Sequence, residues 1–256
     1  MGGMRLMGLA LVTALVACDN DDPGTGPVPV IPQATVVTAT GNIAAKVDEF
    51  RNALGPSNGG TAGEQATGRR EIGWDGAGAN PFNNKNDFPA DLFNTNVKSG
   101  AIFTTAGTGF RNDSTLFAEI NPAYAAQFNF FSATKIFSPI GSNLLDQLFQ
   151  VAGQPTPAVV RGFGIVFTDV DVADQTRIEL FAVDGTSLGT YSSPVRSDAG
   201  GLTFVGVTFA DPIIARVRIK LGTGALGAGV NDISAGGTVD LVVLDNLIYG
   251  EPHKAF

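Results

Sequence analysis

Three aspartates in the segment TDVDVAD have side chains of the kind that bind a hard cation. Asp169, Asp171 and Asp174 follow an apolar run, residues 162–167, that has the composition of a strand. Asp169 and Asp171 are two residues apart, so on a regular strand both side chains point to the same face. Calcium binds oxygen atoms of carboxylates and loop carbonyl groups, although this segment lacks the glycine and closing glutamate of an EF-hand loop. The segment predicts a calcium site, with a solvated turn in which the aspartates cap backbone groups as the alternative.

The only tryptophan of the chain stands among charged residues that could bind a sugar. Trp74 is followed by Asp75 and preceded by Arg70 and Glu71, in the Gly- and Asn-rich region 56–96. An indole ring stacks on the apolar faces of a sugar, while carboxylates and guanidinium groups bind its hydroxyls. We therefore predict a ligand-binding loop here. The alternative is a Trp74 that anchors the loop from inside, with Arg70 and Glu71 as a surface pair.

Other catalytic chemistries are excluded by composition. His253 is the only histidine and Cys18 the only cysteine. Catalytic triads with a histidine base, histidine- or cysteine-ligated zinc sites and internal disulfides are therefore not expected. The net charge of −8 argues against a nucleic-acid partner, because phosphate binding needs a basic surface. We expect no catalytic residues and no enzyme; a carboxylate-dependent polysaccharide hydrolase or lyase, with Glu71 and Asp75 as the nearest candidates, is the alternative.

The N-terminal sequence has the layout of a bacterial export signal. Arg5 precedes an apolar run, residues 6–17, that is too short to span a bilayer. The residues LVAC that end at Cys18 resemble a lipobox. This resemblance implies that residues 1–17 are a lipoprotein signal peptide and that Cys18 carries lipid. An ordinary secretory signal is the alternative.

The next segment is predicted to be a tether followed by a helix. Residues 18–40 comprise the lipidated cysteine and a Pro- and Gly-rich stretch with little to bury, although residues 34–39 are an alternative first strand. Residues 41–55 are the best helix candidate, with Asn42 as cap and Gly55 as end. Its apolar residues at helical spacing are Ile43, Val47, Phe50 and Leu54.

The remaining pattern predicts an all-β protein. Residues 159–249 consist of short apolar runs separated by Asp-Gly, Gly-Gly and Asp-Pro, which is typical of consecutive antiparallel strands. Residues 213–221 alternate apolar and cationic side chains, as in a strand with one solvated face, and residues 239–249 are apolar on both faces, as in a central strand. Residues 144–149 are compatible with a strand or a short helix.

These elements predict a two-sheet antiparallel, jelly-roll-like sandwich with one short N-terminal helix. Residues 41–252 would form this single domain, and residues 253–256 a tail. The stretches GFGIVFTDVD, TRIELFAVDGTSLGTY and VVLDNLIYGEP resemble a group of uncharacterised secreted bacterial proteins. A last strand ending in Asp-Asn more loosely resembles jelly-roll domains of the lectin-like and carbohydrate-binding type. That likeness implies a sandwich that often holds a structural calcium.

The leading expectation is a lipoprotein of the bacterial cell envelope, anchored to the membrane through lipid on Cys18 and facing the periplasm or the exterior. It would bind an extracellular glycan or another ligand without catalysis, and calcium is the expected cofactor if there is one. The alternative from another class is a structural or adhesion module of the envelope.

Overall fold

Antiparallel strands make up most of the chain in the computed structural model, which describes residues 31–256. Within this range, Pro32–Phe256 forms one compact unit. The predicted signal peptide, Cys18 and the first part of the predicted tether lie outside the described residues. Among the described residues no helix has the length and apolarity needed to cross a membrane.

The fold contains short strands and few helices. The strands in chain order are β1 (Thr35–Thr40), β2 (Arg69–Ile72), β3 (Ala101–Thr104), β4 (Gly109–Asp113), β5 (Ile136–Ile140), β6 (Leu144–Phe149), β7 (Ala158–Val159), β8 (Gly162–Thr168), β9 (Arg177–Phe181), β10 (Ser187–Ser192), β11 (Leu202–Thr208), β12 (Arg216–Lys220), β13 (Val243–Gly250) and β14 (His253–Lys254). The α-helices are α1 (Ala44–Leu54) and α2 (Leu92–Thr95), and 3-10 helices span Ala77–Phe82, Pro122–Ala126 and Ile233–Ala235.

Two antiparallel sheets form the predicted sandwich. One has seven strands in the order β1-β11-β8-β13-β5-β4, with β2 also paired to β13. The other has five strands in the order β10-β9-β12-β6-β3, and β7 pairs separately with β14. The chain passes repeatedly from one sheet to the other, since β8, β11 and β13 lie in the first sheet and β9, β10 and β12 in the second. The all-β, two-sheet prediction is confirmed.

The main core lies between the two sheets, and α1 covers the opposite face of the seven-stranded sheet. In β8, Phe163, Ile165 and Phe167 belong to the inner core, while Val166 packs with α1. The predicted apolar face of α1 is confirmed, because its four residues are all buried. A Cβ added at Gly164 of β8 would lie 2.6 Å from the ring of Phe50, so the glycine lets the helix approach the sheet closely.

The start of the helix differs from the prediction. Ile43, not Asn42, is the N-cap residue, and no side chain caps this end. Gly55 ends the helix as predicted, with a φ of 105° that a residue with a side chain rarely adopts. The stability of α1 therefore comes from its packing on the sheet rather than from its cap.

The strand predictions hold where the apolar pattern is regular. Residues 144–149 form strand β6 and not a helix, with Leu145 and Phe149 buried. Strand β12 alternates buried and exposed residues, and every residue of the central strand β13 is buried. The register of β13 shifts between Leu244 and Leu247, so Asp245 and Asn246 form a bulge inside the strand.

The domain extends beyond the predicted boundaries at both ends. Strand β1 lies in the predicted tether and pairs along its length with β11. At the other end, His253 and Lys254 pair with β7, whereas the sequence predicted a tail. Backbone hydrogen bonds at both positions explain these differences, because short terminal segments are ordered where a strand offers a partner.

Candidate metal centre

The candidate site lies where two central strands of the larger sheet meet loops. In the antiparallel register of β8 and β13, Thr168 is opposite Val243. Residues that follow β8 therefore lie beside residues that precede β13. This arrangement brings Asp169 and Asp171 close to Asp240, although 69 positions separate Asp171 from Asp240 in the chain.

Three carboxylates converge in this place. One oxygen each of Asp169, Asp171 and Asp232 lies within 4.8 Å of the others. Calcium holds oxygen ligands at about 2.3–2.6 Å, so two ligands on opposite sides of the ion are about 5 Å apart. The spacing of the three oxygens therefore matches the size of a hard cation.

Several oxygens of this group are buried without a hydrogen-bond donor. The side chain of Asp169 is 0% exposed, and its Oδ1 has no partner among the described residues. Its other oxygen accepts a hydrogen bond from Gln127 Nε2. Both carboxylate oxygens of Asp171 are also buried and unpaired in this part of the chain. Such atoms are rare in native proteins because an unmade hydrogen bond leaves the full cost of desolvation.

The third carboxylate is held in place by the backbone of its own loop. Asp232 Oδ1 accepts from the N–H of Ser234 at 2.7 Å, and Asp232 Oδ2 accepts from the N–H of Leu241 at 2.6 Å. A carboxylate oxygen has two acceptor sites, so each retains one for a ligand. These two hydrogen bonds fix the position of the Asp232 carboxylate without an ion.

Asp240 organises the segment that carries Asp171. Its two oxygens accept from the N–H groups of Asp171 and Val172, each at 3.2 Å. Its own N–H donates to Thr223 Oγ1 at 2.8 Å. Asp240 therefore adds negative charge beside the site while fixing the backbone that presents Asp171.

The four aspartates of the site carry like charges, and no cationic side chain of the described residues pairs with them. No salt bridge within the described range involves any of these four aspartates. Burial, assisted by the neighbouring carboxylates, raises the pKa of Asp169 to about 8. Burial likewise raises the pKa of Asp171, and it raises the pKa of Asp240 to about 6. A divalent cation would lower these pKa values, because it stabilises the ionised carboxylates.

Two of the three residues predicted as ligands, Asp169 and Asp171, lie in this group, whereas Asp174 does not. Asp174 is exposed, has a φ of 62°, and is not part of the group. The chain turns after Asp171, and the backbone carbonyl of Asp174 accepts from Arg177 Nη1 at 3.2 Å. Asp232 takes the third position, and sequence reasoning missed it. The pairing of β8 with β13 would have indicated Asp240, but only the folded loop brings Asp232 into place.

Trp74 lies in the core and not in a sugar site. It is 1% exposed, and its ring stacks on Phe137 with centroids 3.9 Å apart. Its Nε1 donates to the backbone carbonyl of Asp245 at 2.6 Å, at the bulge of β13. The prediction of a stacking platform is wrong for this residue, because neither face of the indole is open. Trp74 instead anchors the loop from inside.

Arg70 and Glu71 are also engaged within the protein. Arg70 is 0% exposed and forms a two-point ion pair with Glu251, with both N–O distances 2.6 Å. Glu71 pairs with Arg51 and accepts from Asn246 Nδ2 at 2.7 Å. They do not form the surface pair that the sequence suggested as an alternative, since successive residues of a strand point to opposite faces.

Asp75 belongs to a second carboxylate group, which is closed. The hydroxyl of Ser132 lies 3.1 Å from an oxygen of Asp75 and 3.1 Å from an oxygen of Asp245. Burial raises the pKa of Asp245 to about 7, although the N–H groups of Phe131 and Ser132 donate to its carboxylate. Asp245 is fully buried, whereas Asp75 is partly exposed, so a polysaccharide cannot contact both carboxylates. We assign it to the support of the bulge.

Comparisons with known proteins supply no further assignment. No protein-family model matches the chain, and no curated protein or solved structure is significantly similar to it. The functional argument therefore depends on the site itself.

Proposed function

We propose that this protein is a calcium-binding β-sandwich module of the bacterial cell envelope, with a binding rather than a catalytic role. One observation carries the proposal: buried carboxylate oxygens of Asp169 and Asp171 have no donor among the described residues and converge with Asp232. Buried charges of one sign are expected only where a cation completes them. The membrane anchor on Cys18 and the extracytoplasmic location are parts of the same proposal and are supported by the sequence alone.

Calcium fits this donor set better than other metals do. The three converging residues offer only carboxylate oxygen, which hard cations prefer, and histidine and thiolate ligands of zinc are absent from the group. Calcium accepts irregular sites completed by loop carbonyls and water, whereas magnesium requires near-octahedral geometry at about 2.0–2.1 Å. Asp171 and Asp232 both lie in irregular segments, which can supply such carbonyls.

The ion would join two parts of the chain that are distant in sequence. Asp169 and Asp171 follow β8, while Asp232 caps the 3-10 helix Ile233–Ala235 in the long segment before β13. The unfolded chain has no preformed site, so the free energy of calcium binding adds to the stability of the folded state. Calcium would therefore stabilise the loop end of the sandwich outside the cytoplasm.

The test is calcium titration by calorimetry with three forms of the protein. Wild type is expected to bind one ion with a Kd on the order of 10⁻⁴ M, the range of extracellular modules. Asp171→Asn removes a ligand charge from a carboxylate that accepts no hydrogen bond from the described residues. It is expected to weaken binding at least about tenfold. Asp174→Asn is the matched control, because it removes the same charge from the same segment outside the group. Equal loss in both variants, or no binding by wild type, would contradict the proposal.

Membrane attachment is tested separately. Wild type expressed in a bacterium is expected to fractionate with membranes and to incorporate labelled palmitate. Cys18→Ala is expected to lose the label. A labelled Cys18→Ala protein would show that the lipid is attached elsewhere or that the signal is different.

A structural or adhesion module is the second candidate, and the burial of Trp74 favours it. Without an exposed indole, the loop region 56–96 loses its main feature for sugar recognition. Glycan-array binding of the full chain discriminates between the two. Binding to a glycan would support the ligand-binding role. No binding to either neutral or acidic glycans would favour the structural role.

A further inference from the structure

The outer face of the five-stranded sheet is a surface that the metal centre does not use. The corresponding face of the seven-stranded sheet is covered by α1. On the five-stranded sheet, by contrast, every outward side chain of strands β9, β12, β6 and β3 is partly or fully exposed. These side chains are Arg177, Glu179, Phe181, Arg216, Arg218, Lys220, Leu144, Asp146, Leu148, Ile102 and Thr104.

Strand register arranges these side chains in rows across the sheet. Arg218 of β12 stands between Glu179 of β9 and Asp146 of β6. In the row on one side, Arg216 stands between Phe181 and Leu148, and its guanidinium lies over the Phe181 ring at 3.8 Å. In the row on the other side, Lys220 stands between Arg177 and Leu144. The face thus has a cationic strand with two exposed leucines beside it on β6.

The face carries an excess of positive charge in an acidic protein. It has four cations, two more than its carboxylates, whereas the whole chain carries −8. Arg216 and Arg218 share the single carboxylate of Asp146, at 3.1 and 2.8 Å. Lys220 Nζ donates to the neutral amide oxygen of Gln175 at 2.7 Å. Two guanidiniums on one carboxylate leave N–H donors for an external anion.

Two shallow depressions lie beside these arginines. One, of about 230 Å³, is lined by Leu144, Asp146 and Arg218 together with the β3 end, Thr104 to Ala106. The other, of about 250 Å³, is lined by Leu148 and Arg216 with residues of the neighbouring loops. Each depression therefore combines apolar side chains with one guanidinium. Arg216 and Arg218 are two residues apart, so their Cα atoms are about 6.6 Å apart along the strand, and both guanidiniums converge on Oδ2 of Asp146.

We propose that this face binds a carboxylated polysaccharide that runs along β6 and β12. Sugar carboxylates would pair with the free N–H groups of Arg216 and Arg218, since guanidinium matches carboxylate geometry. The apolar C–H faces of the sugar rings would lie on Leu144 and Leu148. A polymer fits better than a small anion because the donors are repeated along the strand. The inference builds on the proposed binding role but does not depend on the calcium site.

The test is binding of short hyaluronan and oligogalacturonide chains to the full-length protein, measured by calorimetry in low-salt buffer with calcium. Neutral dextran oligomers are the matched ligand control. We expect binding of at least one acidic oligomer, no binding of dextran, and weakening as salt rises, because exposed ion pairs are screened. The double variant Arg216→Gln, Arg218→Gln is expected to bind at least about tenfold more weakly.

Arg196→Gln is the protein control, because it removes an exposed cation from a different part of the surface. Its ion pair is with Asp198, outside the five-stranded sheet. Equal weakening by this control, or no binding of either acidic oligomer by folded wild type, would overturn the inference. Binding to vesicles of phosphatidylcholine and phosphatidylglycerol without binding to acidic glycans would also overturn it, in favour of a membrane-facing surface. Calcium titration of the same samples shows whether the metal proposal stands independently.

Discussion

Two buried charged groups of this protein differ in whether the chain neutralises them. Arg70 and Glu251 are fully enclosed and bind each other through two N–O contacts of 2.6 Å. Arg70 Nη1 also donates to the carbonyls of Gly59 and Thr61, and Gln65 N–H and Asn58 donate to Glu251. The aspartate group has buried carboxylates, raised pKa values and unpaired oxygens instead.

The difference separates a structural pair from an incomplete site. A buried ion pair whose hydrogen bonds are satisfied needs nothing from outside. Buried carboxylates of like sign are unfavourable until a cation or protons bind. The sequence predicts Arg70 in a binding site, whereas in the structure it joins β2 to the loop before it, to Lys98 and to the residue that follows β13.

The largest expected effect comes from breaking the structural pair. Arg70→Met leaves Glu251 buried without its cation and should lower the free energy of unfolding by about 3–5 kcal/mol. Urea denaturation should show the same loss with calcium and with EDTA, because this pair lies outside the metal site. Lys46→Met, at an exposed pair with Glu49, is the control and should cost less than about 1 kcal/mol. A small loss for Arg70→Met would mean that the pair is not a structural anchor.

Removal of calcium should have the next largest effect. At free calcium about 100-fold above Kd, the ion should stabilise wild type by about 2.7 kcal/mol relative to EDTA. Asp171→Asn should lose most of this difference, while Asp174→Asn should retain it. Thermal unfolding followed by circular dichroism measures both. A calcium effect that is lost in both variants would favour the ligand set expected from sequence, and an effect that survives in Asp171→Asn would contradict both sets.

Stability of the calcium-free protein should fall as pH rises through about 6 to 8. The folded-state pKa is about 8 for Asp169, about 7 for Asp245 and about 6 for Asp240, all above the values of unfolded aspartate. The folded state therefore holds more protons, and this contribution, complete below the unfolded pKa, is lost as pH rises through the folded pKa.

Urea denaturation in EDTA at pH 5.5 and pH 8 should show a free energy of unfolding that is lower at pH 8 by at least about 2 kcal/mol. Calcium should reduce the decrease because it stabilises the ionised form of Asp169. The contribution of Asp245 to this decrease should remain with calcium, since its carboxylate lies outside the metal site. Rising stability from pH 5.5 to pH 8 in EDTA would contradict the assigned pKa directions.

The smallest expected effect concerns a third buried polar group. Gln147 of β6 is fully buried, and neither its Nε2 nor its Oε1 has a partner in the described part of the chain. It is a lone neutral amide without converging ligand groups, so it offers no site. Gln147→Leu should raise the free energy of unfolding by about 1–2 kcal/mol in urea denaturation. Destabilisation would show that the amide has a structural role.

Regular strand patterns made the fold predictable. Alternation along β12 and the two-sided apolar pattern of β13 follow from the two-residue period of strands, which depends little on the rest of the molecule. Asp169 and Asp171 also lie together as predicted, but Asp169 follows the end of β8 and has a φ of 70°, so the strand period is not the reason. Strand β1 is harder to predict, because the residues before it are rich in proline and glycine and its partner β11 is distant in sequence.

The loop residues were less predictable because their positions depend on tertiary structure. Asp174 is close to Asp171 in sequence but follows a turn, whereas Asp232 comes from a segment far along the chain. Trp74 illustrates the same limit. The sequence pattern of one tryptophan beside charged residues is the same whether its ring stacks on a sugar or packs in the core. Here the ring stacks on Phe137.

The binding of calcium by the aspartate group is tested most directly by a crystal structure. The crystals are grown with calcium, and anomalous differences are measured at a long wavelength. We expect a peak at about 2.3–2.6 Å from carboxylate oxygens of Asp169, Asp171 and Asp232. Such a peak would identify the ligands without any variant. Density for water alone among these three residues, in a crystal that contains excess calcium, would contradict the assignment of this group as a metal centre.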